Sequence, residues 1–117
     1  MPVRTIVALL VVAVLSLGLG AAVDAGLFAP PRAPLVETAE AVAAGGEVYL
    51  YRCSPCHRDV PLARRVAGWS ADRAYDTIGR LQEHPRANMP PFPGTEADRR
   101  VLALWLSAVG GGRARQP

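Results

Sequence analysis

Cys53-Ser54-Pro55-Cys56-His57 is the stretch on which the reading of this chain turns. C-x-x-C-H is the attachment site of a c-type haem. Two thiols three positions apart can add to the two vinyl groups of one porphyrin. The adjoining His57 then lies under the iron as an axial ligand. The only two cysteines of the chain both sit in this motif. C-x-x-C also serves as a redox disulfide or as half of a zinc site, so the rest of the sequence must choose.

A haem iron has a second axial position, and Met89 is the candidate for it. A thioether is a soft ligand that prefers reduced iron, so His/Met ligation raises the reduction potential. Met is otherwise gap-filling core material. Met89, however, is the only Met besides Met1 and lies in the stretch Pro85 to Gly94, which holds four prolines. Such a loop is stiff and excludes regular structure. His84 is the only other histidine. It reads as a surface residue beside Pro85, with two other roles open. It could replace Met89, or complete a zinc set with Cys53, Cys56 and His57. The zinc set is disfavoured because adjacent Cys56 and His57 can hardly both bind one tetrahedral metal.

Around these residues the pattern predicts three helices. The first begins near Thr38 or Ala39 and runs into Cys53. Gly45 and Gly46 each cost it about 1 kcal/mol relative to Ala, so something must offset them. The second follows Ser70, a good N-cap, with Tyr75, Ile78 and Leu81 as an apolar stripe. The third opens on Thr95-Glu96-Ala97-Asp98, a capping box with Asp in place of Glu. Val101, Leu102, Trp105 and Val109 form its face, and Gly110 stops it. Roughly seventy residues in three short helices bury little apolar area, and domains of this size usually need a staple. A covalently held haem would supply one.

The N-terminus reads as an export element. Arg4 precedes an 18-residue apolar run from Ile6 to Val23, which as a helix covers roughly 27 Å. That is just short of a bilayer core of about 30 Å. Small residues around Gly20-Ala21-Ala22 and Val23-Asp24-Ala25 offer a signal peptidase a place to cut, while Leu27 and Phe28 would extend an anchor; the retained anchor is favoured. Either way Arg4 and the terminal amine favour an N-inside orientation, which sends the remainder outside. Residues 26–37 read as a Pro-rich linker, extended at about 3.1 Å per residue. Residues 110–117 read as a flexible tail.

The chain has 117 residues and a net charge of +3, and all 13 basic residues are Arg. Between Glu37 and Val109 nine Arg balance nine Asp and Glu, so the excess lies at the ends. With no basic stripe and no aromatic interleaving, a nucleic-acid-binding face is not expected. Arg52, Arg58, Arg64 and Arg65 gather around the motif. They read as a solvated face, or as partners for haem propionates or an acidic redox protein. Trp69, Tyr51 and Tyr75 read as core or haem-packing aromatics.

Residues 38–109 resemble a small class I cytochrome c domain. C-x-x-C-H ending a first helix, a Met-Pro loop and a terminal helix with an aromatic-Leu pair come in that family's order. The resemblance implies that Gly45 lets the first helix cross the last closely, with Tyr49 nearby and Trp105-Leu106 and Leu102 as partners. It also implies a hydrogen bond from His57 Nδ1 to a proline carbonyl, here that of Pro61. The expected fold is all-α: short helices around one covalent haem c, preceded by an N-terminal hydrophobic helix (1–25), the linker and, after the domain, the tail. The expected cofactor-binding residues are Cys53, Cys56, His57 and Met89, with His57 and Met89 as metal ligands and no catalytic residue. The expected function is single-electron transfer in a respiratory chain, as a shuttle or subunit of a quinol-oxidising or terminal oxidase complex. Its domain would lie outside the cytoplasmic membrane, on the periplasmic side. A haem-based gas sensor or peroxide-reactive subunit, and an exported dithiol protein without haem, are the alternatives.

Overall fold

The computed structural model describes residues 2–24, 30–83 and 88–117. Leu27, Phe28 and His84 lie outside the described residues. The chain divides into two compact units, Met1–Ala33 and Pro34–Pro117.

The first unit holds one helix, α1 (Val3–Asp24). Its stretch Val3–Val23 has a mean hydropathy of 2.8 and none of it is buried. At 22 residues it runs about 33 Å, enough to cross a bilayer core. A helix apolar on every side needs an apolar surround, and none of the described residues of its own unit supplies one. A signal sequence meets the same description.

In the second unit Ala39–Arg52 forms α2, capped by Thr38, whose Oγ1 accepts the Ala41 N–H at 3.1 Å. Two single-turn helices follow, α3 (Ser54–His57) and α4 (Leu62–Arg65). Next come α5 (Ala71–Ile78), capped by Ser70, and a 3-10 turn at Leu81–Glu83. The last helix, α6 (Glu96–Gly110), starts on a complete capping box between Thr95 and Asp98. Among the described residues there is no strand.

Residues Leu102 to Val109 of α6 are all buried, which makes it the central element. α2 crosses it where Gly45 meets Val101 and Trp105; a Cβ at Gly45 would overlap the Val101 carbonyl and the Trp105 Cβ. This close approach is what offsets the poor helix propensity of glycine there. One turn on, Tyr49 stacks against Trp105 with ring centroids 4.6 Å apart. α5 packs on α6 through Ala74 and Ile78. Arg99 of α6 lies 3.6 Å over the Tyr75 ring and donates to the Tyr75 carbonyl from Nε at 3.0 Å and Nη2 at 2.9 Å. That carbonyl sits in the last turn of α5 and also accepts the Gly79 N–H at 3.2 Å, so Arg99 ties the end of α5 to α6.

Three features differ from the sequence reading. The tail expected to be flexible folds back on the domain: Gly112 takes φ 73° and Arg113 N–H donates to the Ala108 carbonyl at 2.7 Å. Only glycine enters that left-handed region freely. The turn brings the Arg113 guanidinium to both Glu37 carboxylate oxygens at 3.0 Å. That hydrogen bond holds the Glu37 carboxyl below its ordinary pKa. The linker reading also reaches too far, since Pro34 accepts from Arg100 Nη2 at 2.7 Å and Leu35 packs on the core. Finally, Tyr51 is not a packing aromatic but 74% exposed. It lies two residues from Tyr49, about 200° around the helix, so only one of them can face α6.

Candidate functional site

The motif adopts one helical turn. The Cys53 N–H still donates to Tyr49, ending α2, while the Cys53 carbonyl accepts from Cys56 N–H at 3.2 Å and His57 N–H at 3.0 Å. Pro55 stands in the first turn of α3, where its missing N–H costs nothing. Ser54 is buried and returns its hydroxyl proton to the Leu50 carbonyl at 2.6 Å. Positions i, i+3 and i+4 share a helix face. Cys53, Cys56 and His57 therefore lie on one side of this turn.

A cavity of about 650 Å³ adjoins that side and is lined by both Cys53 and His57. Its volume falls within the ~300–1,000 Å³ of small-molecule sites. α6 contributes Leu102 and Leu106, α5 contributes Ile78, and Val66 and Trp69 come from the segment between α4 and α5. The 88–93 segment closes on it with Met89 and Phe92. Residues thirty-two positions apart in sequence, His57 and Met89, thus meet on one largely apolar cavity. Cys56 is exposed and Cys53 half-buried; both are free thiols. Burial pushes the Cys53 thiol pKa up.

Arg65 lines the cavity, and Arg52, Arg58 and Arg64 are exposed near the motif. Trp69 also stacks with the Arg73 guanidinium, 4.9 Å from its ring centroid. Tyr49, buried, donates from its hydroxyl to the His57 carbonyl at 3.0 Å. The expected bond from the His57 ring to Pro61 is not present among the described residues; the Pro61 carbonyl accepts instead from Arg64 N–H at 3.2 Å. Among the described residues no three His, Cys, Asp or Glu come together as a metal-holding group.

Several site residues escape sequence reasoning. Leu62 and Val66 line the cavity at i and i+4, but α4 is too short to show a periodic pattern. Gln116 reaches the site from the tail, 54 positions from its partner Leu62, and nothing in the local sequence signals it. A second hollow of about 700 Å³ lies between α2, α6 and the tail and contains none of the motif residues.

No family model matches the chain, and no curated protein or solved structure matches it. The geometry alone gives a largely apolar cavity whose wall carries one thiol, Cys53, one imidazole, His57, and one thioether, Met89. An imidazole and a thioether are soft or borderline metal donors.

Proposed function

We propose that this chain is a membrane-tethered monohaem c-type cytochrome that passes single electrons. The observation that carries the reading is the meeting of Cys53, His57 and Met89 on one apolar cavity. Cys53, on the cavity wall, and Cys56, exposed on the same turn, would hold the group through thioethers, and His57 and Met89 would bind its iron. When bound, haem supplies a one-electron iron couple. The protein's part would be to hold the iron with His57 and Met89, to exclude water with Leu102, Leu106, Ile78 and Phe92, and to set the potential through that pair. No residue has to move a proton or activate a substrate. The exposed arginines near the motif suit brief docking with an acidic redox partner. With α1 retained as an anchor, the domain would work on the periplasmic side of the cytoplasmic membrane beside a quinol-oxidising or terminal oxidase complex.

Intact mass and haem staining of the membrane fraction test the proposal together. A mass increase of one haem that survives denaturation is expected, and the same measurement shows whether α1 is retained. A colourless protein with two free thiols or a cystine overturns it.

A further inference from the structure

The Gln116 side chain has three partners. Its Oε1 accepts the Leu62 N–H at 3.1 Å. Its Nε2 donates to the Tyr49 hydroxyl oxygen at 2.9 Å and to the Arg58 carbonyl at 3.4 Å. The orientation of the amide is forced, because a backbone N–H can only donate and a carbonyl can only accept. Tyr49, which accepts from Gln116, then gives its own proton to the His57 carbonyl. One amide from the tail therefore grips the segment 57–62 at its end, at Arg58 and, through Tyr49, at His57.

That segment needs such a grip. Leu62 is the first residue of α4, so no carbonyl within the helix can reach its N–H. Pro61 stands at the cap position and provides no side-chain hydrogen bond. Tyr49 is a rigid post for the clamp, 2% exposed and stacked on Trp105.

We propose that Gln116 is a positioning residue for His57. It locks the backbone that carries the imidazole, through Tyr49 on one side and Leu62 on the other. The inference rests on the reading of His57 as an axial haem ligand. Its consequence is that the orientation of the imidazole is set by a hydrogen-bond chain running Gln116, Tyr49, His57, rather than by the motif alone.

The test uses the full-length protein purified with its haem, and two readouts. One is hydrogen exchange at the Leu62 amide; the other is the low-spin electron paramagnetic resonance signal of the oxidised protein, which reports axial-ligand orientation. Gln116→Ala is expected to speed Leu62 exchange about fivefold, the population change for a lost hydrogen bond of about 1 kcal/mol. It is also expected to shift or split the resonance signal. Tyr49→Phe keeps the ring stack and loses only the hydroxyl, and should displace the same signal. The double variant should show no more than the larger single effect, since both act through one chain. Gln116→Glu can still accept from Leu62 but cannot donate to Tyr49, so it should keep slow exchange and still displace the signal. A signal unmoved by Gln116→Ala, additive shifts in the double variant, or full recovery by Gln116→Glu overturns the positioning role alone. A colourless wild-type protein overturns the haem reading and this role with it.

Discussion

Two neighbouring glycines on α2 have different fates. An added methyl gains about 1 kcal/mol of helix propensity at either position. At Gly45 it would collide with the Val101 backbone and the Trp105 Cβ, which cannot give way without parting the helices. Overpacking of that kind costs about 1–3 kcal/mol or more. At Gly46 the nearest atom is the Trp105 Nε1 at 3.1 Å, the edge of a side chain that has only to yield slightly. Gly45→Ala is therefore expected to lower the urea midpoint clearly, and Gly46→Ala to leave it within a few tenths of a kcal/mol. Equal losses at both would show that the α2–α6 crossing is not set by Gly45. Met89 poses the matching question of chemistry. Met89→Ala should lower the reduction potential and let added cyanide or carbon monoxide bind rapidly, as seen in the visible spectrum. A wild-type spectrum and potential would mean that Met89 is cavity lining only. The cavity-lining Cys53, His57 and Met89, and Gly45 at the helix crossing, each stand out locally in the sequence: a cysteine beside a histidine motif, one internal methionine among prolines, a glycine where helix is otherwise expected. Gln116 and the exposed face of Tyr51 do not, because their positions depend on which parts of the chain come together.

At the scale of elements, the caps were the most readable features. Ser70 and Thr95 each accept a backbone N–H three residues on, as their types and positions foretell, and Thr38, read only as a possible helix start, does the same. Thr95→Ala is expected to destabilise the domain by about 1 kcal/mol in urea melts. Asp98 completes that box by accepting the Thr95 N–H at 2.9 Å, and this bond holds its carboxyl below the ordinary value. A carboxylate depressed by folding stabilises above its unfolded pKa and loses that contribution as pH falls through its folded one. The stability difference between the wild type and Asp98→Ala should thus be full near neutral pH and vanish in strong acid. A difference that persists unchanged in acid would rule out the charged cap. The single-turn helices α3 and α4 were beyond sequence reading. Four residues make barely one turn, too few for periodicity to appear, and α4 draws its N-terminal hydrogen bond from a distant residue.

For the whole molecule, the division at Ala33 has a practical meaning. Residues 34–117 carry the cavity, the core and the folded-back tail, and Pro34 and Glu37 near their start are tied to α6 and the tail. Exported behind a cleavable leader, this part is expected to appear in the soluble fraction with the spectrum of the full chain. Failure to accumulate would mean that α1 is needed for more than tethering. The helical class and the N-terminal apolar helix were visible in hydropathy and turn residues. The exact joint was not, because Pro34 looks like its neighbours Pro30 and Pro31 and differs only in the guanidinium that reaches it. The aromatic placement has an optical consequence. Trp69 borders the cavity and Trp105 stacks on Tyr49, which borders it too. A visible-absorbing pigment seated there would drain their excited states. The loaded native protein should be dark under ultraviolet excitation and brighten as the polypeptide opens, giving every unfolding experiment a label-free signal.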